Sequence, residues 1–248
     1  MAVSHWTRAQ SLVAFSLYCR LPFGRFHSRN PEVIQYAHLI DRTPSALAMK
    51  LSNIASLDPA ITSTGRSGLT GASSADKAMW QEMQQDWAAF VIAMAQAEKT
   101  LGIENDIAKS NTAEKSTSKL AEVKVRIGQH FFRSAVLSAY NQRCCISGLA
   151  NPKLLVASHI VPWSQDEANR LNPHNGLALS ALHDKAFDLG LITVDEDYRV
   201  MVSSQATDAT DAFFMSAIAS FHGKRIALPE KFYPAAQLLA FHREHIFQ

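Results

Sequence analysis

Three polar residues in the second half of the chain have types and an order that suit the hydrolysis of a phosphodiester. His159 interrupts an apolar run typical of a strand, Asn175 lies in an Asn-Gly turn, and His183 lies on a short helix. A neutral imidazole can take a proton from water near pH 7, and a histidine on a rigid helix can hold a metal ion that neutralises charge on the phosphate. An asparagine can hydrogen-bond backbone groups and fix how strand and helix face each other. We therefore predict His159 as the general base, His183 as a metal ligand and Asn175 as the structural organiser.

The elements that would position these residues predict an α+β fold for the second half of the chain. Apolar periodicity, capping residues and turn residues define them. In chain order they are a helix over 127–141, strands over 144–147 and 154–160, a turn-like segment over 173–179, a helix capped by Ser180 and ended by Gly190, a hairpin over 191–194 and 199–203, and a last helix over 234–247.

The first hundred residues are typical of a helical unit. An apolar face follows residues 6–20, and a long amphipathic helix is predicted over 76–101. Between them, Asn30 and Thr43 each precede a proline at the first position of a predicted helix. This order of a helix, a tight turn and a second helix is that of the helix-turn-helix motif in DNA-binding proteins, although many helical bundles share it. If the unit reads DNA, the residues that face it are Arg42, Ser45, Lys50 and Asn53.

A polar stretch separates these two halves. Residues 102–120 lack aromatic side chains and apolar periodicity, which is typical of a linker. The sequence therefore predicts a helical domain over 1–101, a linker over 102–120 and a second domain over 121–248.

Charge is distributed unevenly along the chain, although the net charge is only +2. Basic residues are in excess over 1–70 and over 121–160, whereas acidic residues collect between and after these segments. Such a pattern suits contact with phosphate at two places, and ordinary solvated surface charge is the alternative. In the second domain, Arg126, Arg143 and, on the last helix, Arg243 are the candidates to contact DNA.

The cysteines and the absence of long apolar stretches restrict the class of protein. The chain has three cysteines, Cys19, Cys144 and Cys145, without a C-x-x-C pair. An odd number without regular spacing argues against a disulfide framework, and we expect no structural zinc. No apolar stretch is long enough to cross a bilayer, so a cytoplasmic protein without a membrane partner is expected.

Several short motifs occur in one order through the second domain. They are Arg126-Ile127-Gly128-Gln129, Cys145-x-Ser147-Gly148, Ser158-His159-Ile160-x-Pro162-Trp163, Asn175-Gly176-Leu177, His183-Asp184-x-x-Phe187-Asp188-x-Gly190-Leu191-Ile192 and His242-Arg243-Glu244-x-x-Phe247. On these motifs, residues from about 123 to 247 resemble the HNH endonuclease domain of restriction endonucleases. The resemblance implies a ββα-metal fold, a divalent metal ion (usually magnesium or manganese) and cleavage of nucleic acid.

Two positions depart from the family pattern. Many relatives place an Asp or His before the general base, where this chain has Ser158, and some carry a further His where this chain has Phe187. His183 remains as the main protein ligand, with Asp184 and Asp188 as candidates to help it. Few protein ligands, with waters and phosphate oxygens completing the shell, suit Mg²⁺, and Mn²⁺ is the alternative.

The combined prediction is a metal-dependent DNA endonuclease of restriction or phage defence, with a helical domain that selects the site. One alternative is a non-catalytic DNA-binding protein with a degenerate HNH site, in which the histidines only pack. Another is an RNase or toxin of the same fold. Because duplex cleavage by a nuclease with one site usually needs two copies, a homodimer is an alternative to the monomer.

Overall fold

The computed structural model of the protein describes residues 5–63, 71–103, 117–206 and 211–248. The chain divides into two compact units, 1–135 and 136–248. Most of the predicted linker, residues 104–116, lies outside the described residues, and Thr117 already begins a helix.

The first unit is helical, as predicted. Both predicted caps are confirmed, because the side chain of Asn30 accepts the Glu32 N–H and that of Thr43 accepts the Ala46 N–H. The helices are α1 (Arg8–Arg20), α2 (Pro31–Leu39), α3 (Pro44–Ala55), α4 (Pro59–Thr62), α5 (Ser74–Gln85), α6 (Trp87–Thr100) and α7 (Thr117–Ala139), of which α7 continues into the second unit.

The predicted single helix over 76–101 is wrong, because Asp86 divides it into α5 and α6. Asp86 has φ −148° and ends α5, and its side chain accepts the Ala89 N–H at the start of α6. One residue thus supplies the end of one helix and the cap of the next.

Helix α1 forms the centre of the first unit. Its residues from Ser11 to Cys19 are all buried, and it packs against α3 and α6. Across the part of the chain that the structure describes, no helix combines the length and the apolar character needed to span a bilayer.

The second unit contains two antiparallel hairpins with helices packed on them. Residues 144–147, predicted as a strand, form a turn, and the segment predicted as turn-like over 173–179 contains most of a strand. The elements are β1 (Leu155–His159), β2 (Gly176–Ser180), α8 (Ala181–Asp188), β3 (Ile192–Val194), β4 (Val200–Val202), α9 (Ala212–Ala217) and α10 (Ala236–His245).

The order β1, β2 and α8 gives a ββα arrangement inside an α+β unit. Strand β1 pairs with β2 so that His159 lies opposite Gly176, and α8 packs on both strands. Ser180 caps α8 by accepting the His183 N–H, as predicted. Helix α10 packs on β3, which joins the end of the chain to this arrangement.

Gly190 permits the close contact between the end of α8 and the segment that follows α10. Its φ is +70°, and a Cβ at this position would overlap the Ile246 carbonyl oxygen. The Gln248 N–H donates to the Gly190 carbonyl at 3.1 Å, so the two backbones pass each other directly. The predicted role of Gly190 as the end of the helix is confirmed, and the close contact adds a second reason for glycine there.

We predict that Gly190→Ala destabilises the second unit by about 2 to 4 kcal/mol, because it adds steric overlap to backbone strain. Gly148→Ala is the matched control, since Gly148 has φ +72° and open space around it, and its expected cost is about 1 kcal/mol. Urea-induced unfolding of both variants measures the difference. Equal costs in the two variants would show that the contact with Ile246 is unimportant.

The side chain of His242 joins α10 to α8 and β3. Its Nε2 donates to the Phe187 carbonyl at 3.2 Å, and its Nδ1 accepts the Thr193 hydroxyl at 2.8 Å. The imidazole also stacks on the Phe187 ring with centroids 3.6 Å apart. Burial and, to a smaller extent, the Arg243 charge lower the pKa of His242 to about 4, and the hydrogen bond to the Phe187 carbonyl opposes this change.

This lowered pKa predicts a loss of stability in acid. Because the unfolded histidine binds a proton near its usual pKa and the folded one does not, stability falls as pH decreases from about 6.5 towards the folded value. Between about pH 7.5 and about pH 5, His242 alone should remove about 2 kcal/mol.

Urea unfolding of the wild type and of His242→Gln at both pH values measures this contribution, and hydrogen exchange of β3 and α10 reports on this unit alone. The variant should be less stable at the higher pH and should lose less on acidification. The same acid loss in both proteins would assign it to other groups.

Candidate active site

A cleft of about 740 Å³ lies within the second unit, beside β1, the loop that follows it, α8 and α10. Its walls carry several groups that can exchange protons or bind cations. Among the lining residues are Ser158, His159, Trp163, Asp184, Asp188, His242 and His245. The cleft therefore brings His159 together with two of the three predicted metal ligands.

His159 lies at the end of β1 with its imidazole held in one orientation. Its Nε2 is 2.9 Å from the Arg170 carbonyl oxygen, which can only accept, so the proton is on Nε2 and the lone pair on Nδ1. Burial lowers the pKa of His159, and the Arg170 carbonyl and the Asp184 charge oppose that change less strongly. The imidazole is therefore neutral near pH 7, which is the state of a proton acceptor.

Asp184 and Asp188 lie one turn apart on α8, so both carboxylates project from the same side of the helix. Asp184 is half-buried and Asp188 is exposed. Burial raises the pKa of Asp188, the neighbouring Asp184 charge raises it further, and Lys185 lowers it. Two carboxylates that repel each other at the edge of a cleft fit a divalent cation, whose charge would relieve the repulsion.

His183, predicted as the principal metal ligand, does not fit that role in this structure. It is 3% exposed, and it is not among the residues that line the cleft. Its Nε2 donates to the Ala217 carbonyl at 2.9 Å, and its Nδ1 is 2.9 Å from the Ser180 hydroxyl and 3.5 Å from the Cys144 sulfur. Since both ring nitrogens have protein partners, neither is presented to a cation in the cleft.

Among the residues that the structure describes, no three His, Cys, Asp or Glu side chains converge on one point in a way that could hold a metal ion. Asp184 and Asp188 are the two carboxylates among the residues that line the cleft. A hard cation that keeps most of its water shell matches such a pair of oxygen donors.

Asn175 is fully buried and joins the two ends of the loop between β1 and β2. Its Oδ1 accepts the Val161 N–H at 2.8 Å, and its Nδ2 donates to the Val161 carbonyl at 3.1 Å and the Asn169 carbonyl at 3.2 Å. The Ile160 N–H also donates to the Asn175 backbone carbonyl at 2.9 Å. These contacts are the kind that the predicted organising role requires.

The two positions that depart from the family pattern are both buried. Ser158 is 2% exposed, and its hydroxyl has no hydrogen-bond partner among the described residues. Phe187 is 1% exposed and stacks on His242, so it contributes packing. Phe187 cannot supply a metal ligand, and serine is a poor one.

Two of the four residues predicted to face DNA from the helical unit have partners within that unit. Lys50 is 7% exposed and forms an ion pair with Asp76 at 2.7 Å, so its charge is not available to phosphate. Arg42 donates to the His5 carbonyl and to Gln10, and its guanidinium lies 5.0 Å from the centroid of the Trp6 ring. The prediction that Lys50 contacts DNA therefore does not fit the structure.

The remaining predicted DNA contacts are distributed over both units. Ser45 is exposed at the start of α3, and Asn53 is half-buried on the same helix. Arg126 is exposed and paired with Glu122 on α7, whereas the exposed Arg143 donates to the Gly148 carbonyl at 3.3 Å. Arg243 donates to the Val194 carbonyl at 3.0 Å, so it ties α10 to β3.

Two further residues belong to this region although no sequence pattern indicated them, Arg170 and His245. Arg170 holds His159 through a backbone carbonyl, and no side-chain pattern can reveal such a contact. His245 lines the cleft together with His242, which the helical spacing of α10 alone did not show. The sequence did contain an indication that the loop after β1 contacts His159. Trp163 follows the candidate base by four positions, and an aromatic residue at that distance is close enough to contact it.

Comparison with known proteins identifies one family for part of the second unit. No curated protein matches the sequence. Residues 144–195 match a family described as HNH endonuclease, and this span contains β1, β2, α8 and β3. It also contains His159, Asn175, Asp184 and Asp188. The second unit of the chain therefore carries an HNH endonuclease domain.

Proposed function

We propose that this protein is a metal-dependent endonuclease that hydrolyses phosphodiester bonds in DNA. The observation that carries the proposal is the cleft in which a neutral, oriented His159 shares a wall with the carboxylates of Asp184 and Asp188. General base and cation site are the two parts that phosphodiester hydrolysis requires.

In the proposed reaction, His159 removes a proton from the attacking water through Nδ1. The Arg170 carbonyl keeps the other proton on Nε2, so the ring accepts at the nitrogen that carries the lone pair. Burial favours the neutral ring before the reaction, and the nearby Asp184 charge favours the imidazolium that forms during it.

Asp184 and Asp188 would hold a divalent cation, for which Mg²⁺ is proposed and Mn²⁺ is the alternative. Such a cation would supply positive charge to offset the negative charge that develops on the phosphate and on the leaving oxygen. Asn175 acts at a distance from the reacting atoms, because it fixes the loop that carries the partner of His159. His183 would hold α8 to the last residue of α9, through the Ala217 carbonyl.

The biological setting that we propose is restriction or phage defence in the cytoplasm, with the helical unit contributing to site selection. The surface-exposed candidates for DNA contact are Ser45, Arg126 and Arg143. Duplex cleavage would require either two copies of the chain or two successive nicks.

We predict that His159→Ala reduces metal-dependent nicking of supercoiled plasmid by at least about 100-fold, because loss of a general base removes that much catalysis. The assay compares Mg²⁺, Mn²⁺ and chelator with the wild type. His222→Ala is the control, since His222 is exposed and is not among the cleft residues. Undiminished cutting by His159→Ala would refute the assignment of the base.

We also predict that Asp184→Asn and Asp188→Asn each weaken Mn²⁺ binding by about tenfold or more, because each removes a charged oxygen donor. Paramagnetic broadening of the His159 ring signals by Mn²⁺ measures binding without DNA. Asp197→Asn is the control, because Asp197 is exposed in the turn between β3 and β4. Unchanged broadening in the double variant would place the cation elsewhere.

The same assays also test two other functions. Ser158 and the buried His183 are the features that a degenerate, non-catalytic DNA-binding protein would have. Such a protein would bind DNA without cutting either unmodified or modified plasmid. Cleavage of RNA in preference to duplex DNA would instead favour an RNase of the same fold.

A further inference from the structure

Arg170 contacts the candidate base and its aromatic neighbour by two different routes. Its backbone carbonyl accepts from His159 Nε2 at 2.9 Å. Its guanidinium Nε donates to the Trp163 carbonyl at 2.7 Å, and its Cζ lies 5.4 Å from the centroid of the Trp163 ring. Arg170 itself is not among the residues that line the cleft.

Trp163 contacts both Arg170 and His159, so the three residues contact one another. Its ring lies edge to face against the His159 imidazole, with centroids 5.6 Å apart and an interplanar angle of 87°. Trp163 also lines the cleft, as His159 does. The imidazole is thus restrained at Nε2 by Arg170 and at its side by Trp163, and Arg170 joins both restraints.

The loop that carries Arg170 is held on its other side by Asn175. The Asn175 amide donates to the Asn169 carbonyl at 3.2 Å, one peptide before Arg170. The ion pair between Arg170 and Glu167 adds little, because the Glu167 side chain is 87% exposed. The main restraint that the Arg170 side chain supplies is therefore its bond to the Trp163 carbonyl.

We propose that Arg170 is a positioning residue that sets the tautomer and orientation of His159, an inference that rests on the proposed role of His159 as the base. The hydrogen bond from the guanidinium to the Trp163 carbonyl holds the loop in place. The loop in turn holds the Arg170 carbonyl within hydrogen-bond distance of His159 Nε2. Without the bond to Trp163, the loop keeps its contact with Asn175 but holds the carbonyl less firmly on Nε2, and neutral His159 distributes its proton over both nitrogens. Part of the population then has no lone pair on Nδ1, the nitrogen that accepts the proton in the proposed reaction.

Nitrogen-15 NMR of the imidazole tests this directly, because protonated and unprotonated ring nitrogens have well-separated chemical shifts. In the wild type at a pH where His159 is neutral, we expect one tautomer with the proton on Nε2. In Arg170→Met, which keeps the apolar stem, the two nitrogens should shift towards averaged values. Arg170→Lys, which keeps a cation beside the indole and a donor, should restore most of the wild-type pattern.

Arg199→Met is the matched control. Arg199 is exposed in the same unit and also donates to a backbone carbonyl, that of Gly223, at 2.9 Å. It should leave the His159 signals unchanged. The His183 and His242 signals report folding in every variant, and if Arg170→Met fails to fold, Arg170→Gln takes its place.

The kinetic readout separates positioning from DNA binding. Arg170→Met should lower kcat for plasmid nicking by about tenfold, as is usual for an outer partner of a functional histidine, with KM little changed. A higher KM at unchanged kcat would make Arg170 a DNA contact and would overturn the inference.

Wild-type His159 signals in folded Arg170→Met would overturn it as well. If the wild type cuts no nucleic acid, the proposed function fails, and the tautomer measurement still decides the role of Arg170.

Discussion

The architecture of the cleft depends on the hydrogen bonds of one buried amide, that of Asn175. Its Oδ1 accepts the Val161 N–H, and its Nδ2 donates to the Val161 carbonyl and to the Asn169 carbonyl. Without this side chain, the buried N–H and carbonyl of Val161 would each lose a hydrogen bond, at a cost of about 1 to 3 kcal/mol for each group left without a partner. The fixed loop delivers the carbonyl that orients His159. The Trp163 indole lies against the imidazole that this carbonyl orients.

Several parts of the fold follow from local residue chemistry and were predictable from the sequence. Asn30 and Thr43 cap helices because their side chains accept early N–H groups, and glycine at 190 tolerates a positive φ. The organising role of Asn175 was also suggested by its place in the loop. Strand β2 was missed because residues 176–180 are all buried, so they show no alternation of polar and apolar residues. The division at Asp86 was missed because apolar spacing continues across it.

The functions of individual charged and titratable side chains were harder to predict, because they depend on partners far along the chain. His183 has a suitable type and position, yet a carbonyl 34 residues later occupies its Nε2. Lys50 lies on the predicted recognition helix, yet Asp76 and the Trp6 ring surround its ammonium group. Residue type indicates what a group can do. Only the tertiary structure decides whether that group faces a cleft, a core or another charge.

The wall that α10 contributes has a consequence for how the site forms during protein synthesis. His245 and Ile246 line the cleft, and the backbone at Gln248 contacts Gly190. Because ribosomes build chains from the N-terminus, β1, β2 and α8 leave the exit tunnel well before these last residues do. A nascent chain can therefore carry His159 and both carboxylates while the cleft still lacks one side. Because the helical unit precedes these elements in the chain, it has already been synthesised when the cleft is completed.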